Sequence, residues 1–274
     1  MRIPRAACIN DLSGFGRCSL TTAIAILSAA GVQACPVPTA ILSKHTGFEN
    51  FFFKDLTESL EPYMKDWQSL EFDGIYSGFL GSAKQIDAVE KFIKNHKNSK
   101  NPPCVIVDPV MGDAGKLYAT YTPEMQIKMK NLAMYADILT PNITEACFLS
   151  DTSYTGEDIY PHKATELIKK LGNQVEAKIV LTGIVKQDKI INMTYTGGDI
   201  ELSEINREKN VYSGTGDIFS SIVCAFILKG KQLNKAVDIA GKFISDAIQR
   251  TTISNTTLNE GVVFEPILYK LGNI

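Results

Sequence analysis

Short runs of apolar, often β-branched residues alternate along this chain with longer stretches in which apolar positions recur every three or four residues. The first pattern fits strands buried on both faces and the second fits amphipathic helices, so the alternation predicts an α/β fold: a mostly parallel central sheet flanked by helices on both faces. Ala6–Asn10 reads as the first strand, followed by a Gly-containing turn and a helix from Ser19 to Ala30 that stops at Gly31. Gln33–Thr39 and Gly74–Ser77 read as strands, Leu56–Leu70 and Ser82–Asn98 as helices, the latter with Ser82 and Gln85 at capping-box spacing. Cys104–Asp108 is a buried strand, Thr122 caps a helix that opens with Pro123 and runs to Met134, and Ile138–Thr140 is a strand leading into Pro141. Ile143–Ser150 and Ala164–Leu171 follow as helices and Lys178–Thr182 as a strand. Ile190–Tyr195 and Glu201–Ile205 form a hairpin around Thr196-Gly197-Gly198-Asp199, and helices Asp217–Leu228 and Leu233–Arg250 close the pattern. No repeat, low-complexity stretch or linker interrupts it, so residues 1–274 read as one domain.

Composition narrows the function classes. With 45% hydrophobic residues in 274, a core large enough to need no disulfide or metal staple is expected. The balance of 28 Lys and Arg against 30 Asp and Glu, with no long run of one sign, argues against nucleic acid as a partner. The N-terminus lacks the apolar stretch of a signal peptide and no segment is long enough to span a bilayer, so a cytoplasmic location without membrane contact is expected. Six scattered cysteines without a CxxC pair read as small buried hydrophobes in a reducing compartment.

In a mostly parallel sheet, ligands bind beyond the carboxyl ends of the strands, and that is where the unusual residues of this sequence collect. Ser213-Gly214-Thr215-Gly216-Asp217 places two glycines at the start of a helix, where backbone N–H groups and the positive dipole end suit an anion; Asp217 is either a base or a helix cap. Asp108 and Asp113 lie at and past the end of a buried strand, and Asn142 with Glu145 has capping-box spacing. The functional alternative brings Glu145 to Asp108 around a hydrated Mg²⁺, which takes one or two carboxylates plus waters and phosphate oxygens. A glycine anion hole with carboxylates after separate strands is the equipment of phosphoryl transfer, although the chain has no Walker A sequence. Gly14-Phe15-Gly16-Arg17-Cys18-Ser19 fails as a dinucleotide fingerprint, because Ser19 stands at the third glycine position and no acidic residue follows the next strand. Asp11, just ahead of that turn, either accepts a hydrogen bond from a ligand or caps the turn. Zinc-ligand clusters and a GxSxG elbow are absent from the sequence, and the run Phe48, Phe51, Phe52, Phe53 reads as core or interface packing.

Five segments in order carry a resemblance: Ser43-Lys44-His45-Thr46-Gly47-Phe48, Ser77-Gly78-Phe79-Leu80-Gly81-Ser82, Asp108-Pro109-Val110-Met111-Gly112-Asp113, Thr140-Pro141-Asn142 with Glu145, and Gly214-Thr215-Gly216-Asp217. From about Ala6 to Gln249 the chain resembles the ribokinase-like superfamily, and within it the vitamin B6 (pyridoxal/pyridoxine/pyridoxamine) kinases. The resemblance implies ATP-dependent phosphorylation of the 5′-hydroxymethyl group of a B6 vitamer by a homodimer. It makes Asp217 the base and the Gly214, Thr215 and Gly216 amides the anion hole, with Asp108 and Glu145 on Mg²⁺ and Asn142, Glu145 and Thr182 on the ATP phosphates. Asp11, His45, Thr46 and Phe79 fall on the substrate side, Phe79 replacing the usual Tyr as a face for the pyridine ring. Whether a monovalent cation is also needed stays open.

The turn Asp11-Leu12-Ser13-Gly14-Phe15-Gly16 departs from typical pyridoxal kinases and is closer to the D-P-S-G-G-A-G turn of the hydroxymethylpyrimidine kinases of thiamine synthesis. Phosphorylation of hydroxymethylpyrimidine is therefore the first rival reading, and a non-catalytic B6-binding protein the second. The loop Asn206–Tyr212 is too short for the family's adenine contacts to be carried over.

Overall fold

In the computed structural model, which describes residues 2–156, 161–208 and 210–272, the apolar runs form strands of one sheet. The chain begins with β1 (Arg5–Ser13), α1 (Ser19–Ala29), β2 (Gln33–Leu42), β3 (Phe53–Asp55), α2 (Thr57–Lys65), β4 (Gly74–Ser77), α3 (Ala83–Lys97) and β5 (Cys104–Val107). A small hairpin, β6 (Gly112–Asp113) with β7 (Lys116–Leu117), precedes α4 (Pro123–Ala133), β8 (Ile138–Leu139), α5 (Ile143–Leu149) and α6 (Pro161–Gly172). The strands β9 (Lys178–Lys186), β10 (Lys189–Thr196) and β11 (Asp199–Asn206) lead to the long helices α7 (Thr215–Leu228) and α8 (Leu233–Thr252), and a short α9 (Tyr269–Gly272) follows. Among the described residues the main sheet has the order β11-β10-β9-β8-β5-β4-β1-β2-β3. The run from β2 to β9 is parallel throughout, while β3 at one edge and β10 and β11 at the other are antiparallel.

Alternate residues of each strand feed two cores. Ala7, Ile9, Ile75, Val105, Val107, Leu139, Ile179 and Leu181 pack on the side of α2 to α6. Ala6, Cys8, Tyr76, Ile106, Ile138 and Val180 pack on the side of α1, α7 and α8. This two-sided burial is why the strands read as continuous apolar runs rather than as alternations. The six cysteines are free thiols, four of them buried. No helix among the described residues is long and apolar enough to cross a membrane.

Several elements differ from their sequence-based bounds for local reasons. β2 runs past Thr39 to Leu42 despite Pro36 and Pro38, because β3 pairs only with Ala40–Leu42 and leaves the outer edge at the prolines without a ladder to interrupt. Thr122 caps α4 as expected, accepting from the Met125 N–H. Ser82 likewise accepts from the Gln85 N–H, but no capping box closes. The Gln85 carboxamide instead accepts from the Gly81 N–H and donates to the Thr39 carbonyl and the Asp55 carboxylate, tying α3 to β2 and β3. The aromatic run divides: Phe48 packs on Phe15 and His45, whereas Phe52 and Phe53 are exposed, which corrects a core reading for those two.

Candidate active site

The carboxyl ends of the parallel strands all open on one edge of the sheet. At the end of β1 the register against β2 slips between Asn10 and Leu12, an irregularity that re-aims side chains locally, and Asp11 stands at the slip. Asp11 is buried, and its Oδ2 accepts a 2.7 Å hydrogen bond from the Ser13 hydroxyl. Burial pushes its carboxyl above the usual carboxylate range, against the pull of hydrogen bonds from Ser19 and Ser13.

Across from this strand end lies the start of α7. Its N-cap position is Gly214, at φ 79°, and Asp217 lies in the first turn with no capping bond, so the cap reading for Asp217 is corrected. A Cβ on Gly214 would stand 1.8 Å from the Arg17 carbonyl oxygen, so only glycine lets the two turns meet. At Gly216 a Cβ would meet nothing within 4 Å; the space in front of this residue is open. The first N–H groups of an α-helix have no partner within the helix, and with the positive dipole end they make such a start a place where an anion can bind.

Asp217 Oδ1 accepts a 3.2 Å hydrogen bond from Asn10 Nδ2, and the Ser19 backbone N–H also donates to this carboxylate. Ser19 adopts φ 52°, a left-handed conformation that is costly for a residue with a Cβ and is concentrated at functional sites. Burial raises the Asp217 carboxyl to about 6, with the Asp11 charge adding to the rise and the donors from Ser19 and Asn10 opposing it. A carboxylate held near neutrality, ionised yet basic, is suited to take up a proton.

Beside it, Asp108 Oδ2 accepts from the Ser220 hydroxyl at 3.0 Å, and Ser220 is in turn bonded to Thr140 at 2.9 Å. Asn142 and Glu145 close a complete capping box on α5: the Asn142 side chain accepts from the Glu145 N–H, and Glu145 Oε2 accepts from the Asn142 N–H. Glu145 Oε1 also accepts from the Met111 N–H at 3.1 Å, which turns the carboxylate toward the segment that carries Asp108. The capping box thus accounts for one Glu145 oxygen, and the bond to the Met111 N–H holds the other. Burial raises Asp108 and Glu145 above the carboxylate range, and each is raised further by a neighbouring carboxylate, Asp108 by Asp217 and Glu145 by Asp108. Among the described residues no group of three or more ligating side chains could hold a metal by itself. Two crowded, mutually repelling carboxylates nevertheless fit Mg²⁺, which completes its shell with water and phosphate oxygens. Thr182 bridges to Asn142, donating its hydroxyl and N–H to the Pro141 carbonyl.

The remaining expected residues lie on the segments that follow β4 and β2. Phe79 is half-buried, its N–H donated to Asn10 Oδ1 and its carbonyl accepting from the Thr39 hydroxyl. Thr46 is exposed on the loop between β2 and β3. His45 on the same loop accepts from the Gly47 N–H at Nδ1, which assigns its proton to Nε2, 2.6 Å from the Asn259 carbonyl. Its ring is wedged where a Cβ on Gly16 would come within 2.4 Å and one on Gly47 within 2.8 Å. With both nitrogens occupied, the ring can offer a ligand its face and edge. Asn259 also donates to the Gly47 carbonyl, Arg17 N–H to the Glu260 carbonyl, and Ser213 N–H to the Leu258 carbonyl, so one C-terminal segment ties three site loops together. Of the loop Asn206–Tyr212, Lys209 lies outside the described residues.

Sequence reading missed Asn10, Ser19, Ser220 and Asn259. Asn10 read only as the last residue of a strand, and Ser220 fell unremarked within the helix Asp217–Leu228; the register slip and the helix rotation that aim them are tertiary features. A polar residue interrupting a buried apolar run was the available signal in both cases.

A family model described as phosphomethylpyrimidine kinase matches residues 19–263. The chain is 33% identical over 184 residues to the pyridoxine kinase of Bacillus subtilis, a match covering 65% of this chain and 65% of that one. Its fold superposes on a Bacteroides thetaiotaomicron protein, provisionally assigned as a phosphomethylpyrimidine kinase and crystallised with pyridoxal, with a TM-score of 0.90 and 34% identity over 98% of this chain and 96% of that one. The pyridoxal kinase of Lactobacillus plantarum superposes with a TM-score of 0.91 at 26% identity, covering 98% and 97%. A match that runs from the first helix past the last long one, on a sheet whose strand ends converge on the glycine-rich start of α7, leaves one conclusion: the chain belongs to the phosphomethylpyrimidine kinase family of the ribokinase-like superfamily.

Proposed function

We propose that this chain is a vitamin B6 kinase that transfers the γ-phosphoryl group of ATP to the 5′-hydroxymethyl group of pyridoxal, pyridoxine or pyridoxamine. The observation that carries the choice of ring is the pyridoxal found with the Bacteroides relative, which is 34% identical over nearly the whole chain. Asp217 accepts the hydroxyl proton as the oxygen attacks the γ-phosphorus, one O–H bond breaking and one O–P bond forming while the bond to the ADP oxygen breaks. The N–H groups of Thr215 and Gly216 stabilise charge on the transferring group, and the open space before Gly216 admits it. Asp108 and Glu145 would hold Mg²⁺, which when bound neutralises phosphate charge; Asn142 and Thr182 position the phosphates beside it. Phe79 supplies an aromatic face for the ring, with Thr46 and His45 on the opposite loop and Asp11 reaching a ring or hydroxyl donor. The reading includes a second copy of this chain as partner, supported by exposed Phe53 on the edge strand β3 and exposed Phe52 just before it, and a cytoplasmic location, supported by six free thiols.

The alternative substrate, hydroxymethylpyrimidine, is favoured by the Asp11–Gly16 turn and by the family's own description. Comparing both ring systems as phosphoryl acceptors tests the choice. Asp11→Ala is expected to raise KM for the ring substrate about tenfold or more while KM for ATP changes less than about threefold. Steady-state kinetics with each substrate varied in turn checks this, and equal effects on both constants would remove Asp11 from the substrate pocket.

A further inference from the structure

Asn10 is 1% exposed at the point where β1 slips register. Its Oδ1 accepts two backbone hydrogen bonds, from the Asp11 N–H at 3.0 Å and the Phe79 N–H at 2.9 Å. Backbone N–H groups can only donate, so the amide has one orientation, and the atom 3.2 Å from Asp217 Oδ1 is the nitrogen that carries hydrogens. The chain is fitted around this group: a Cβ on Gly78, the residue after β4, would lie 2.5 Å from Asn10 Nδ2, so a glycine lets the backbone pass this close. One buried amide therefore touches the carboxylate of α7, the strand end with Asp11, and the backbone that carries Phe79.

We propose that Asn10 is a positioning residue for phosphoryl transfer: it holds the Asp217 carboxylate in the orientation that receives the substrate proton and fixes that orientation relative to Phe79 on the substrate side. The inference rests on the reading of Asp217 as the base. A neutral donor suits this place because it steers one carboxylate oxygen without adding charge to a site that already holds Asp11, Asp108 and Asp217. The link to Phe79 means that the base and the wall for the ring are placed by the same side chain. A displacement of either by about 1 Å would be costly to a reaction that depends on alignment.

A double-mutant cycle tests the proposal. Asn10→Asp keeps an oxygen to accept from Asp11 and Phe79 but turns the donor facing Asp217 into an acceptor. It is expected to lower kcat by about 10- to 10²-fold with KM for ATP changed less than about threefold. In the Asp217→Asn background the same substitution is expected to change kcat less than about threefold, because the residual turnover no longer depends on how residue 217 is aimed. Equal losses in both backgrounds, or an unchanged kcat in Asn10→Asp, would overturn the proposal. Near-normal turnover by Asp217→Asn alone would sink the base assignment and this proposal with it, and is recognised without reference to Asn10. Thermal melts accompany each protein; should Asn10→Asp not fold, Asn10→Ser, which gives up the reach to Asp217 without adding charge, carries the same cycle and the same expected pattern.

Discussion

Asp217→Asn is expected to lower kcat by on the order of 10²-fold or more while leaving the binding of ATP and of the ring substrate intact. The substitution is nearly isosteric and keeps an oxygen to accept from Asn10 and Ser19, so the start of α7 keeps its shape; what disappears is the capacity to take up a proton. The wild-type pH profile carries the same information. With the Asp217 carboxyl raised to about 6 by burial, a base that works only when ionised makes kcat/KM climb as pH rises through about 6 and level off above it. The acid limb should vanish in Asp217→Asn. Stopped-time assays over pH 5–8 with separate titrations of ligand binding check both points, and near-wild-type turnover in the variant would reduce Asp217 to a first-turn carboxylate that merely favours the helix dipole.

Gly214→Ala and Gly216→Ala should fail in opposite ways. At Gly214 the new Cβ meets the Arg17 carbonyl at 1.8 Å and the backbone stands at φ 79°, so packing overlap and left-handed strain act together. A cost on the order of 3 kcal/mol follows, read as a fall in melting temperature of roughly 6–12 °C along with loss of activity. At Gly216 the added methyl meets open space and φ is ordinary, so the melting temperature should stay within about 2 °C. Yet that space is where the transferring phosphoryl group must come close to the backbone, and turnover should drop about tenfold or more. Melting curves and initial rates on the two variants separate the roles. A destabilised Gly216→Ala with normal kinetics per folded molecule would contradict the assignment of the anion hole.

The elements with strong local signals were legible in the sequence. Gly74–Ser77 and the start of α4 at Thr122–Pro123 follow from apolar runs and capping chemistry that act over a few residues. The hairpin around Gly197 and Gly198 follows from two consecutive positive φ angles, 58° and 105°, that glycine alone takes up freely. Strand ends were less legible: β1, β2 and β9 each extend beyond the expected limit, because their last residues are held by neighbouring strands rather than by their own propensity. The same division runs through the site. Gly214, Gly216 and Asp217 announce themselves as a motif, whereas Asn10 and Ser220 acquire meaning only when the sheet brings residues 207 and 112 positions away into hydrogen-bond range. Glu145 belongs to both groups, since its capping box is local and its bond to the Met111 N–H is not.

The measurement closest to the central claim is ATP-dependent phosphorylation by the purified protein, offered pyridoxal, pyridoxine, pyridoxamine and hydroxymethylpyrimidine separately, each with and without Mg²⁺. The account predicts Mg²⁺-dependent turnover in which a B6 vitamer leads hydroxymethylpyrimidine by about tenfold or more in kcat/KM. A lead of that size for hydroxymethylpyrimidine would contradict it and assign the Asp11–Gly16 turn, rather than the His45-Thr46-Gly47 loop, as the feature that chooses the ring.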